Sequence, residues 1–281
     1  MLKMYKRGIR FFHTIRFQNT NVKRCHEKYT FLQHLRNNRQ ISENVLIIAH
    51  GAKHAILTTT HNPANQYEVY IASDDCDAFC NDFVFAISCL TASEFGQSCI
   101  DSGAIAYLGY QVEIGNLFNP GISDNNLIPK RIRISVSTII KRIFVSELAE
   151  CFEHFLLNPV SVEVLKERFS FALEKKISEL TETSLEEIQS KYNIKIYERH
   201  YKQYFVTLVL ETLALIENIN SKLICIGDSQ FISPTFVSAY YRAGMDKDTI
   251  ISSLEKNLLF QKLDERYKTI IQQRIEDGSN V

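Results

Sequence analysis

Four short stretches of unbroken hydrophobicity constrain this chain more than any other feature. Residues 44–49 (NVLIIA), 83–88 (FVFAIS), 104–110 (AIAYLGY) and 222–226 (KLICI) are each five to seven residues long and rich in β-branched or aromatic side chains. A strand with one wet face alternates polar and apolar residues, whereas an unbroken run must be covered on both faces, as in a parallel sheet sandwiched by helices. A fifth candidate strand covers 8–17, where Ile9, Phe11, Phe12 and Ile15 are mixed with Arg and His.

The segments between and after these runs read as helices. Residues 29–35 precede the first run, and 93–102 follow the second. From Ser137, the apolar positions Ile139, Ile140, Ile143, Phe144, Leu148, Phe152 and Phe155 recur at helical spacing, and Pro159 ends that helix. Val164, Leu165, Phe169, Leu173, Ile177 and Leu180 mark a second helix, and Ser184 with Glu187 forms a capping box for a third. Residues 236–276 are helical with charged faces. Residues 58–66 and 115–129 read as loops, and the second is the candidate for a substrate-binding or activation loop. Strands alternating with helices give an α/β fold class.

Composition narrows the function classes. Of 281 residues, 45% are hydrophobic and 23% charged, the profile of a folded chain, and 32 basic residues balance 32 acidic ones. No global charge therefore points to nucleic acid or an acidic membrane. Ten of the Lys and Arg residues nevertheless crowd into residues 1–40 beside a single acid, Glu27. With Phe11, Phe12 and Phe17 interleaved, this arm offers a surface to nucleic acid or an acidic partner, but an edge strand with solvated charges is the favoured reading. The longest apolar run, 204–219, is broken by Glu211 and Glu217 and reads as a buried helix, so no membrane span is expected. The basic N-terminus lacks the apolar core of a secretory signal, and a mitochondrial presequence is the weaker reading. Seven irregularly spaced cysteines argue for free thiols in a reducing, cytoplasmic setting.

Two of the runs end in chemically potent residues: the first in His50-Gly51, the second in Cys89. Ligands of open parallel sheets bind beyond the carboxyl ends of the strands, so neighbouring placement would bring both side chains to one crevice. A cysteine nucleophile needs a base, and histidine is the usual one. A glycine after the histidine lets its backbone N–H approach a substrate carbonyl, and that amide with the Cys89 amide would serve a developing oxyanion.

The pairing of NVLIIAHG with FVFAISC resembles the clan CD cysteine peptidases, the group of caspases, gingipains, separases, legumains and CHAT-domain proteases. GAIAYLGY, the helical segment 146–173 and KLICIGDSQF are similar to the later parts of CHAT and gingipain domains. The resemblance implies a caspase-like parallel-sheet domain over 41–235, preceded by a basic arm (1–40) and followed by a helical extension (236–281). It implies a cysteine endopeptidase in which Cys89 attacks the scissile carbonyl, His50 handles the proton, and the Gly51 and Cys89 amides hold the oxyanion. No metal or cofactor is called for. The partners implied are a protein substrate and an activating protein, as in bacterial defence or cell-death circuits. The chain departs from the family at Ser88, where alanine is usual, and in having no Trp on the loop after the third strand. Asp101 and Glu113 are candidates for binding a basic substrate side chain, and equally read as surface carboxylates. Two readings compete: a catalytically idle caspase-like scaffold, and an acyl transferase that forms isopeptide bonds.

Other motifs carry less. Gly227-Asp228-Ser229 suggests an esterase serine, but the last histidine, His200, precedes it. Cys76, Cys80, His54 and His61 match no tight zinc spacing, and Asp74, Asp75 and Asp77 lack the spacing of a calcium loop.

Overall fold

The computed structural model describes residues 28–37, 44–59, 67–119, 128–194 and 201–278. The candidate strand at 8–17 and part of the loop calls at 58–66 and 115–129 lie outside them. All four expected strands form within two residues of the expected ends: β1 Asn44–Ile48, β5 Phe83–Ile87, β6 Ala106–Tyr110 and β7 Leu223–Gly227. They make one sheet in the order β1-β5-β6-β7.

The unbroken apolar runs find their explanation in β5. All five of its residues are fully buried, with Phe83, Phe85 and Ile87 facing one layer of the protein and Val84 and Ala86 the other. On the second face lie α1 (Lys28–Asn37), a 3₁₀ segment (Ser73–Phe79) and α2 (Glu94–Asp101), which bury Leu32, Phe79 and Phe95 against the sheet. Arg36 of α1 grips Asp77 with two guanidinium bonds of 3.1 and 2.7 Å. On the first face lie α3 (Lys130–Leu157), α4 (Val162–Glu182), α5 (Leu185–Tyr192) and α6 (Tyr201–Asn220). Here aromatic rings interlock: Phe85 meets Phe152 at 6.2 Å and Phe169 at 6.0 Å between centroids.

Helix boundaries follow local chemistry. Helix α3 begins directly after Pro129, earlier than the periodicity from Ser137 suggests, because Ile132 and Val136 extend the buried stripe by two turns. Ser184 and Glu187 cap each other reciprocally, as the spacing predicts.

The sheet is mostly parallel, not wholly so. Strands β1, β5 and β6 are parallel, but β7 runs against β6. Helix α6 delivers the chain to the carboxyl edge of the sheet, where Gln111 N–H donates to the Lys222 carbonyl at 3.0 Å. A strand entering from that edge can only run downward.

After β7 come α7 (Thr235–Arg242), α8 (Lys247–Glu255), α9 (Leu258–Lys262) and α10 (Glu265–Gly278). Their Phe236, Ile250, Leu254, Tyr267, Ile271 and Ile275 join the same buried cluster as Phe83 and Phe85. Asn44, at the start of β1, also donates to Ser233 at 2.8 Å and Thr235 at 3.0 Å, tying this region to the sheet. Among the described residues no helix is long and apolar enough to cross a membrane.

Replacing Phe85 by Ala removes a fully buried ring from the centre of this layer and is expected to cost about 3–5 kcal/mol. Urea unfolding of the variant followed by circular dichroism checks it, and a loss under 1 kcal/mol would contradict the packing described.

Candidate functional site

The pairing of β1 with β5 decides where the two singled-out side chains go. Ile48 is level with Ile87, and the Ala49 N–H still donates to the Ile87 carbonyl at 3.3 Å. His50 and Cys89 therefore each lie two residues past a matched pair, at the carboxyl ends of adjacent parallel strands about 4.8 Å apart.

Beyond Ala49 the chain leaves the main sheet and builds a second one that the sequence reading did not anticipate. Strands β2 (His50–Ala52), β3 (Ala55–Thr59) and β4 (Tyr67–Ala72) form a three-stranded antiparallel sheet in that order. Lys53 and His54 make a two-residue turn whose Lys53 carbonyl accepts from Phe95 N–H at 2.7 Å, at the start of α2, and whose His54 carbonyl accepts from Ser73 Oγ at 3.0 Å. These bonds clamp the His-Gly hairpin over the Cys89 loop. In such a hairpin Ala52 and Ala55 exchange hydrogen bonds, and so do His50 and Leu57. The intervening Gly51 thus has its N–H turned out of the ladder, where it can serve a ligand.

Gly51 is required for space, not for an unusual dihedral. A Cβ placed there would stand 2.2 Å from Ser88 Oγ and 2.4 Å from the Cys89 carbonyl oxygen. Immediately after the cysteine, Leu90 adopts a left-handed backbone with φ of 62°. That conformation costs a residue with a Cβ about 1–2 kcal/mol. It is held by Leu90 N–H on the Val112 carbonyl at 3.2 Å and Ala92 N–H on the Tyr110 carbonyl at 3.0 Å.

The two side chains are engaged elsewhere. Cys89 Sγ accepts from Ile114 N–H at 3.4 Å, while the His50 ring rests on Tyr67 with centroids 4.5 Å apart. No hydrogen bond joins imidazole and thiol. Burial raises the Cys89 thiol above the ordinary range, the amides of Ile114 and Gly115 act against that, and the Glu113 carboxylate adds to it. Cys225, on β7 without such amide donors, is pushed up to about 12, chiefly by burial. Burial lowers the His50 imidazole. The imidazole and the thiol are accordingly both neutral near pH 7.

Of the other candidates, only Glu113 comes near. It is exposed, one residue before the amide that caps Cys89. The structure does not bring Asp101 to the site. It ends α2, which runs from the Cys89 loop back along the sheet, and it accepts from Gln97 at 2.8 Å. The chain after it bonds to the opposite edge, where Asn81 N–H meets the Gly103 carbonyl and Ile105 N–H the Asp82 carbonyl. Ser229 lies at that same far edge, following Asp228, whose N–H donates to the Ile105 carbonyl at 3.0 Å. Cys76 is buried with its sulfur 3.2 Å from Cys99. Asp75 caps the 3₁₀ segment through Ala72 N–H, and Asp77 holds Arg36. His61 lies outside the described residues, among which no group of three or more His, Cys, Asp or Glu side chains is placed to hold a metal ion.

The residues that sequence reasoning missed are Tyr67, Leu90 and Ile114. Only Tyr67 left a signal, the alternation of Tyr67, Val69 and Ile71. No family model matches the chain, and neither a curated protein nor a solved structure does.

Two predictions follow from this geometry. Gly51→Ala forces a backbone shift and should cost about 1–3 kcal/mol, read by denaturant unfolding. Because the resting thiol is raised and free of the imidazole, alkylation of Cys89 by iodoacetamide should climb with pH through the alkaline range. His50→Ala should leave that profile unmoved; peptide mass mapping reads both, and a plateau below pH 7 would overturn the resting arrangement.

Proposed function

We propose that this chain is a cysteine endopeptidase with a caspase-like fold, cutting a protein substrate through Cys89 and His50. The observation that carries the reading is the level register of β1 and β5, by which a histidine and a cysteine follow neighbouring strands at the same carboxyl edge of a parallel sheet. Supporting it are the outward Gly51 N–H and the backbone turn at Leu90 that presents Cys89. The resemblance of NVLIIAHG and FVFAISC to the clan CD peptidases points the same way.

In this mechanism the neutral His50 imidazole takes the Cys89 proton as sulfur attacks the scissile carbonyl. The carbon–nitrogen bond then breaks, and the imidazolium passes the same proton to the departing amine, leaving a thioester on Cys89. Water attacks the thioester, His50 takes one of its protons and returns it to the sulfur, and the acid product leaves. The Gly51 and Cys89 amides stabilise the oxyanion in both halves. The burial-lowered imidazole suits the first step, because its basic form is the populated one at neutral pH.

The imidazole must leave Tyr67 and the sulfur must leave the Ile114 amide before they meet, which is what an activating protein partner would bring about. That same separation favours a second reading, an idle caspase-like scaffold. The six described cysteines are free thiols, in keeping with a cytoplasmic setting.

Mapping new protein N-termini in lysate of cells expressing wild type or Cys89→Ala separates the readings. Cuts that vanish in Cys89→Ala and fall about 10²–10⁴-fold in rate in His50→Ala are expected. Identical N-termini in wild type and Cys89→Ala, with candidate activators co-expressed, would sink the peptidase and leave the scaffold.

A further inference from the structure

The proton route through His50 fixes which half of a substrate lies over the small sheet. Histidine protonates the departing amine, so the segment after the scissile bond extends from the His50 side. His50 is paired with Leu57, and Leu57 with Val69, so these three side chains share one face of the β2–β3–β4 sheet. A register shift between Ile56 and Leu57 makes this possible: it turns Ile71 into the core, while Val69 and Tyr67 face outward. The opposite face is closed, with Ile56 and Ile71 both 1% exposed. The His50 face is open and apolar, with Tyr67 44% and Val69 52% exposed and Leu57 half-buried. No other described stretch of strand exposes large hydrophobic side chains to this degree. With adjacent strands about 4.8 Å apart, the strip from His50 to Val69 spans about 10 Å, the length of three extended residues.

Resting on the peptidase reading, we infer that Leu57, Tyr67 and Val69 form the binding strip for the leaving half of the substrate, a polypeptide with an apolar residue directly after the cut. Alternate side chains of an extended peptide point the same way, so the third residue after the cut meets the far end of the strip at Val69. Tyr67 has a double place here, as a member of the strip and as the ring that meets the imidazole. Occupancy of the strip thereby bears on the ring contact that His50 makes.

The test uses two peptides that carry a wild-type cut site and differ only in the residue after the bond, Leu or Asp. The full chain should favour Leu at least tenfold in kcat/KM, and Val69→Lys should reduce or reverse that ratio by a similar factor. A wild-type ratio within threefold, with cleavage still dependent on Cys89, overturns the strip and leaves the peptidase standing. Absence of Cys89-dependent cleavage overturns the peptidase, and the strip is then judged by binding. Cys89→Ala protein titrated with Leu-Ala-Val-amide should show shifts of the Leu57 and Val69 methyl resonances that Asp-Ala-Asp-amide does not cause. Equal or absent shifts sink the strip as well.

Discussion

The rest of the structure hangs on the parallel ladder between β1 and β5. It pairs Asn44 with Phe83 and ends with Ile48 level with Ile87, so whatever follows each strand emerges at the same height. Side chains alternate between faces along both strands, and a slip of one residue would turn the Phe83, Phe85 and Ile87 row away from the helices that cover it. Each of those side chains contributes about 1.5–3 kcal/mol by burial, so the register is strongly enforced. That His50 and Cys89 follow the strands at the same edge is a consequence of this register, which core packing enforces.

What is built on that edge is tight in its backbone and loose in its side chains. The hairpin is pinned at its turn by Phe95 and Ser73, Gly51 is pressed on the Cys89 carbonyl, and Leu90 is held in a left-handed conformation by the segment after β6. Strain of that kind persists only where neighbours over-determine it, and it concentrates where a side chain has to be presented. The imidazole and the thiol, by contrast, rest on other partners, and both are neutral because each is partly desolvated without an opposite charge to offset it.

Much of this was legible in the chain, for reasons that can be named. The unbroken runs 44–49, 83–88, 104–110 and 222–226 announced strands covered on both faces, and Ser184 with Glu187 announced a helix start that the backbone bears out. The second sheet was hidden because its turn, Lys53-His54, lacks the Asn-Gly chemistry of a two-residue hairpin, and its alternation is broken by the register shift at Ile56 and Leu57. Asp101 was misplaced because distance along the sequence does not say that α2 runs back to the other edge. Cys89 and Ile114 are 25 residues apart and share no local pattern, so their contact left no trace in the sequence.

Local order was the sequence's to determine. Apolar periodicity, capping residues and prolines act over a few residues, and they set the strands, most helix limits and the two-faced burial of β5. Tertiary structure alone decided the rest: which strands are neighbours, that β7 runs antiparallel, that Gly51 meets the Cys89 loop, and that the His50 ring meets Tyr67 and the Cys89 sulfur the Ile114 amide. Those outcomes depend on how layers of helix and sheet fill space together, and a long-range contact leaves no periodic mark on either of the segments it joins.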